Sequence, residues 1–324
     1  MYTIDKLREL IETELSKLEY LSEPKELFKP LQYILEGQGK RLRPLLVLMT
    51  YNMYNESVED ILTSAIGLEI FHNYTLLHDD VMDNAKMRRG KLTVHNKWNT
   101  NVAILSGDAA AIVAYKFILK CKDKYLREVI TSFNNVAMDV CKGQQLDMQF
   151  ETREDVSTEE YLHMIYLKTA VLIGGAVRHG AILGGASKDE HKALYDFGCN
   201  IGVAFQLQDD YLDIYGDSTK FGKKIGGDIL TNKKTYMLIQ TYKLADKETR
   251  EELKFWMRMK SPDPQKKIEA ITNIYNKIGI KEHVFNLINS YLNNGYGILK
   301  SIEVDEDKKT NFYNIISLLK DRKS

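Results

Sequence analysis

The 324-residue chain has only five prolines, and none lies between Pro44 and Pro262. Proline is the usual breaker of helices, so this gap favours long helices. Cysteine is equally scarce. Cys121, Cys141 and Cys199 stand far apart and in odd number, which argues against a disulfide framework or a metal-ligand pair and favours a cytoplasmic setting. Neither charge sign is in excess, with 45 basic and 45 acidic side chains, so a nucleic-acid partner held by bulk positive charge is excluded. The opening MYTIDKLRELIETELSKLEY lacks an apolar core, and no signal peptide is expected. The apolar run TAVLIGGAVRHGAILGGA is interrupted by Arg178 and His179, so stable membrane insertion is not expected either. Alternating β-branched runs, Gly/Ser/Pro linkers and short repeats are all missing.

What remains reads as helix. Ile4, Leu7, Ile11, Leu15 and Leu18 form one apolar stripe at helical spacing. Ser157 stands three residues before Glu160, a capping-box pattern opening a long apolar helix. The expectation is a single all-α domain over residues 1–324, with ten or more helices.

Two short motifs stand out against that background. DDVMD begins at residue 79 and DDYLD at residue 209, each after an apolar helix-like run. On a helix, positions i, i+3 and i+4 share a face, so Asp79, Asp80 and Asp83 converge, as do Asp209, Asp210 and Asp213. Like charges so placed repel unless a cation sits among them. Magnesium suits them, since it takes carboxylate oxygens together with substrate phosphates. Cations follow each cluster: Arg88 and Arg89 the first, and Lys223, Lys224, Lys233 and Lys234 the second. GQGKRLRP adds Lys40, Arg41 and Arg43 after two glycines, where guanidinium groups can fork onto phosphate oxygens. Polar residues inside apolar stretches complete the set: His72, seven residues before Asp79, with Gln144, Asp147, Lys168, Thr169 and Gln206. No dinucleotide fingerprint, P-loop, HExxH or nucleophile elbow is present.

Taken in order, GKRLRP, LLHDDVMD, MRRG, LKTA, FQLQDDYLDIYGD and FGKKIGGDILTNKKT make the chain resemble the trans-isoprenyl diphosphate synthases, the head-to-tail polyprenyl synthetase family. The resemblance implies the isoprenoid synthase fold, a helical bundle around a central apolar cavity, usually as a homodimer. It implies magnesium-assisted condensation of isopentenyl diphosphate with an allylic diphosphate, with three ions expected. Asp79, Asp80 and Asp83 match the first metal motif. Asp209, Asp210 and Asp213 match the second, in which the leading aspartate is the usual direct ligand. Lys40, Arg41, Arg43, His72 and Arg89 match positions that hold isopentenyl diphosphate. Arg88, Lys168 and Lys223 match allylic diphosphate contacts, and Lys233 a more distant basic position. Gln144, Asp147, Thr169 and Gln206 match the polar lining of the reaction centre.

Product length is expected to depend on residues upstream of Asp79, namely Leu68, Phe71, Tyr74 and Thr75. A large aromatic five residues before the first aspartate, here Tyr74, shortens the product in the family. The pattern points to geranylgeranyl or farnesyl diphosphate. The competing readings are a class I terpene cyclase and a non-catalytic subunit of the same fold. The paired cationic motifs argue against the first, and the two intact aspartate motifs against the second.

Overall fold

A computed structural model describes residues 1–18, 23–37, 39–216, 225–259 and 262–321. Helices dominate them. The first half runs α1 (Ile4–Ser16), α2 (Lys25–Leu35), α3 (Leu42–Tyr54), α4 (Leu62–Met82), α5 (Val94–Lys97), α6 (Thr100–Ile118) and α7 (Asp123–Thr152). Then come α8 (Thr158–Ile165), a π-turn (Tyr166–Ala170), α9 (Val171–Gly184) and α10 (Lys188–Tyr215). The remainder is α11 (Gly227–Leu230), α12 (Tyr236–Leu244), α13 (Lys247–Arg258), α14 (Pro264–Ile278), α15 (Ile280–Ser301) and α16 (Thr310–Asp321). The one sheet among the described residues is a hairpin of two-residue strands, β1 (Met87–Arg88) and β2 (Lys91–Leu92), paired antiparallel.

The helix ends are set by local chemistry. Thr3, Asn99, Ser157, Thr235, Asp246 and Asp263 each accept a backbone N–H of the first turn, satisfying donors the helix itself leaves unpaired. The capping box at Ser157 and Glu160 forms in both directions. Gly279 closes α14 in the left-handed conformation, at φ 77°. The stripe expected on α1 buries Leu7, Ile11 and Leu15.

The described residues group into two compact units. One comprises Met1–Val136, Gly175–Tyr195 and Ile302–Phe312; the other Ala137–Gly174, Asp196–Ser301 and Tyr313–Ser324. In the first, α4 packs along α6 and against α3, with α1 and α2 against the same group. Helix α4 is buried on nearly every side, which explains its apolar composition. Helix α6 is long and apolar enough to cross a membrane by length and composition, although 33% of that window is buried. The apolar stretch at 169–186 is instead core: Ala176, Val177, Ala181, Ile182 and Leu183 are all buried, and His179 bonds Ser64.

In the second unit, the π-turn sits where two glycines let backbones approach closely. A Cβ on Gly143 of α7 would lie 2.2 Å from the Lys168 nitrogen. On Gly202 of α10 it would lie 2.6 Å from Cα of Ala170. A wider turn in an α-helix needs this extra room, and such bulges recur at functional sites.

Candidate active site

In the first unit, the DDVMD motif closes α4. Asp79 and Asp80 lie in its last turn, and Asp83 caps it. The β1–β2 hairpin folds back onto them. Its two-residue loop is Arg89 (φ 51°) and Gly90 (φ 76°), and left-handed residues at both positions are what a tight hairpin of this hand requires. Tyr33 of α2 fastens the hairpin. Its hydroxyl donates to the Leu92 carbonyl at 3.0 Å, and the Lys97 ammonium stacks on its ring at 3.8 Å.

The hairpin delivers Arg88 onto the aspartates. Nε donates to Asp80 at 2.6 Å and Nη2 to Asp79 at 2.8 Å. Arg88, expected on an allylic diphosphate, is here the cation lying across the first motif. Asp80 is 5% exposed, and burial raises its pKa against the pull of Arg88.

Arg89 of the hairpin loop acts electrostatically on Arg43 of α3 and His72 of α4, with Glu69 the carboxylate opposing the repulsion at Arg43. Burial lowers the pKa of Arg43 to about 10, with Arg89 adding repulsion and Glu69 opposing it. Burial also lowers His72 well below its ordinary value, and Arg43, Arg89 and Arg88 push the same way. Arg89 reaches solvent, yet crowding by protein is the largest cause lowering its pKa. The Arg43 Nε is buried without a partner. A buried, unpartnered guanidinium N–H beside a second arginine calls for an anion. Lys40 is exposed at the entrance loop.

Arg41 behaves otherwise. Its side chain is 5% exposed and turned inward, donating to Glu12, Glu69 and the carbonyls of Leu35 and Gly37. Four of its five N–H donors are thus committed to protein.

Upstream on α4 an aromatic cluster continues the line. Phe71 meets Tyr74 at 5.3 Å and Phe133 of α7 at 4.8 Å between ring centres. Tyr74 meets His78 at 4.9 Å. The Thr75 hydroxyl is tied back to the His72 carbonyl at 2.8 Å.

In the second unit, α10 carries Gln206, Asp209, Asp210 and Asp213. Asp210 is 3% exposed and accepts from the Tyr161 hydroxyl of α8 and from Gln206 at 3.1 Å. Burial raises its pKa to about 7, with Lys233 the largest opposing influence. The Thr169 hydroxyl donates to the other end of Gln206 at 3.1 Å. Tyr161, Asp210, Gln206 and Thr169 therefore form one chain of hydrogen bonds. Lys168, in the π-turn, is 2.6 Å from Asp147 of α7. Gln144 lies one turn earlier on α7, with its amide nitrogen buried and unpartnered. Asp213 accepts the Asp228 N–H at 2.9 Å, and Lys233 reaches Asp228 at 3.8 Å. Lys234 donates to the Glu151 carbonyl at 3.0 Å. Lys223 and Lys224 lie outside the described residues.

Among the described residues no three carboxylates, histidines or cysteines are gathered closely enough to hold a metal as they stand. The donor chemistry nonetheless fits a hard cation: all six motif side chains offer oxygen alone, and Asp79 with Asp80 already engages a positive group.

Tyr161 and Glu69 were not among the residues singled out by sequence. Tyr161 stands seven residues before Lys168, on about the same helical face. Glu69 is a lone acid in an apolar run, three residues before His72.

All-α architecture, two aspartate-bearing helices and a cationic pocket define an enzyme class that handles diphosphates. The polyprenyl synthetase family profile matches residues 24–275, and the chain belongs to that family. It is 39% identical over 235 residues to a short chain isoprenyl diphosphate synthase of Methanocaldococcus jannaschii, covering 72% of each chain. It is 33% identical over 287 residues to a geranylgeranyl diphosphate synthase of Methanosarcina mazei, covering 88% of this chain and 86% of that one. A solved geranylgeranyl pyrophosphate synthase superposes over 100% of both chains with TM-score 0.95 and 41% identity. That of Pyrococcus horikoshii covers 98% and 97%, with TM-score 0.91 and 28% identity. The protein is a trans-prenyltransferase of the short- to medium-chain type, in a family whose members generally depend on magnesium.

Proposed function

We propose that the protein joins isopentenyl diphosphate head to tail to an allylic diphosphate, with geranylgeranyl diphosphate as the main product. The observation that carries this reading is the pair of arginines, Arg43 and Arg89, beside a neutral His72, with the Arg43 Nε buried and unpartnered and Glu69 acting on both. A cyclase has one diphosphate to hold and no need of this second anion pocket. Relatives named geranylgeranyl diphosphate synthase support the product length.

In this reading Lys40, Arg43, His72 and Arg89 hold isopentenyl diphosphate. Arg88, Lys168 and Lys223 neutralise the allylic diphosphate, with Lys233 a more distant basic position. Asp79, Asp83 and Asp209 are the leading metal ligands, with Asp80, Asp210 and Asp213 completing the two motifs. Bound magnesium, three ions in this proposal, would supply charge stabilisation for the departing diphosphate. Asp209 is more exposed than Asp210, which supports the leading role of the first. Gln206 and Thr169, with Gln144 and Asp147, orient the reacting carbons and keep water out. Lys168, drawn to Asp147, adds positive charge where the carbon–oxygen bond breaks.

The ring of Tyr74, backed by Phe71 and Phe133, stops the growing chain, while Thr75 leaves room beside it. We also propose that residues 1–324 act as one domain, since each compact unit is drawn from three separate stretches of chain. A homodimer is supported by Leu105 and Ile112 on α6 and Leu119 at its C-cap, spaced seven apart and 60%, 60% and 40% exposed. The free Cys121, Cys141 and Cys199 support a cytoplasmic setting.

The test is incubation with magnesium, isopentenyl diphosphate and each of dimethylallyl, geranyl and farnesyl diphosphate, followed by product analysis. Chain-extended diphosphates ending at twenty carbons are expected. Hydrocarbons would favour a cyclase, and no turnover a non-catalytic subunit.

A further inference from the structure

We infer that Arg41 and Glu69 form a positioning pair that holds the isopentenyl diphosphate pocket in shape, and that neither touches the diphosphate. This rests on the pocket reading given above.

Arg41 is the residue before α3, and its backbone is left-handed (φ 45°, ψ 38°). A side-chain-bearing residue adopts that conformation at a cost, and it persists where surrounding contacts over-determine it. Here the contacts are explicit. Nε donates to Glu12 of α1 at 2.9 Å, and Nη1 to Glu69 of α4 at 3.2 Å. Nη2 donates to the carbonyl of Leu35, at the end of α2, at 2.6 Å, and to that of Gly37 at 3.1 Å. One guanidinium therefore ties α1, α2, α4 and the loop entering α3. That loop carries Lys40.

The same geometry reaches Arg89. A Cβ on Gly39 would lie 2.9 Å from Arg89 Nη1 and 3.4 Å from Arg41 Nη1, so both guanidiniums lie against this one glycine. A movement of Arg41 shifts Lys40 through the backbone and shifts the surface on which Arg89 rests.

Glu69 is the buried anchor, its side chain 3% exposed. It accepts from Arg41 and, more weakly, from the Asn73 amide at 3.4 Å. Its charge also acts on Arg43 and Arg89, favouring their protonated forms. A carboxylate this close to an anion pocket opposes the anion by Coulomb's law alone. Positioning and simple electrostatics thus predict opposite signs when Glu69 loses its charge.

The test uses Glu69→Gln, Arg41→Lys, the double variant, and Glu12→Gln. Isopentenyl diphosphate is titrated calorimetrically into each, and KM for both substrates and kcat are measured. Positioning predicts that Glu69→Gln weakens isopentenyl diphosphate binding about tenfold while the allylic KM stays within about twofold. The double variant should be no worse than the worse single, because the two residues act as one unit. Tighter binding by Glu69→Gln, or additive losses in the double variant, would overturn the inference. If the core variants fail to fold, Glu12→Gln decides, since Glu12 is 54% exposed and its loss cuts only one tether. It should weaken binding by about threefold, and unchanged affinity would overturn the pair's role. Absence of binding by the unsubstituted protein would instead remove the pocket reading itself, and this inference with it.

Discussion

Gly143→Ala is the substitution whose consequence follows most directly from geometry. The added Cβ would stand 2.2 Å from the nitrogen and 2.6 Å from Cα of Lys168, and 2.7 Å from the Leu167 carbonyl carbon. Ordinary contact begins near 3.4 Å, so α7 and the π-turn must separate by more than 1 Å. The obstructing atoms are backbone, so no rotamer change relieves them. Overpacking of this kind costs about 1–3 kcal/mol, and rigid backbone puts this case at the upper end. For a chain of 324 residues that is a fall in melting temperature of roughly 2–4 °C. The same displacement draws Lys168 away from Asp147, now 2.6 Å distant, and Thr169 from Gln206, now 3.1 Å. A shift of about 1 Å at a reaction centre costs on the order of 100-fold in rate. Thermal melts and turnover at saturating substrate would read both effects. Gly297→Ala is the control: nothing lies within 4 Å of its added Cβ, and in mid-helix it should stabilise by roughly 0.5–1 kcal/mol. Wild-type turnover in Gly143→Ala would refute the link between the π-turn and the chemistry, even if the melting temperature fell.

Other outcomes follow from single contacts. Tyr161→Phe removes the phenol donor from Asp210 and should raise the magnesium concentration needed for half-maximal turnover about tenfold, read by metal titration. Tyr74→Ala should lengthen the product by one or more five-carbon units, seen by mass spectrometry; an unchanged length would remove this ring as the floor. Leu105→Glu should yield monomers in analytical ultracentrifugation if a second copy covers α6. The buried His179 imidazole, bonded to Ser64 at 2.8 Å, has its pKa lowered by burial from 6.5 to about 4. The unfolded chain takes up this proton first as pH falls. Stability should therefore be full above pH 6.5 and decline toward pH 4, by up to about 1.4 kcal/mol per pH unit. His179→Gln should flatten that slope in denaturant titrations at several pH values.

What could be read from sequence was what depends on near neighbours. The capping box at Ser157 and the stripe of Leu7, Ile11 and Leu15 involve residues within one or two turns, and both formed. The aspartate motifs were legible for the same reason. The π-turn was not, because it depends on Gly143 and Gly202, which are distant in the chain and become its neighbours only through packing. MRRG stood out in the sequence for its two cations. Its residues form a hairpin because Arg89 and Gly90 both take left-handed backbone, a fact invisible in residue types alone at an arginine. GQGKRLRP read as three cations placed to meet phosphate oxygens. The turn into α3 swings Arg41 inward onto Glu12 and Glu69, which lie 29 and 28 residues away. The apolar face of α6 also escaped notice, because small residues such as Ala110 and Ala114 on its buried side dilute the periodic signal.

The most direct measurement is a crystal structure with magnesium and a non-ionising allylic thiolodiphosphate. The account predicts metal ions bound to oxygens of the ligand's diphosphate, with Asp79 and Asp83 supplying some ligands and Asp209 another. Diphosphate bound elsewhere, or metal held by only one of the two motifs, would contradict it.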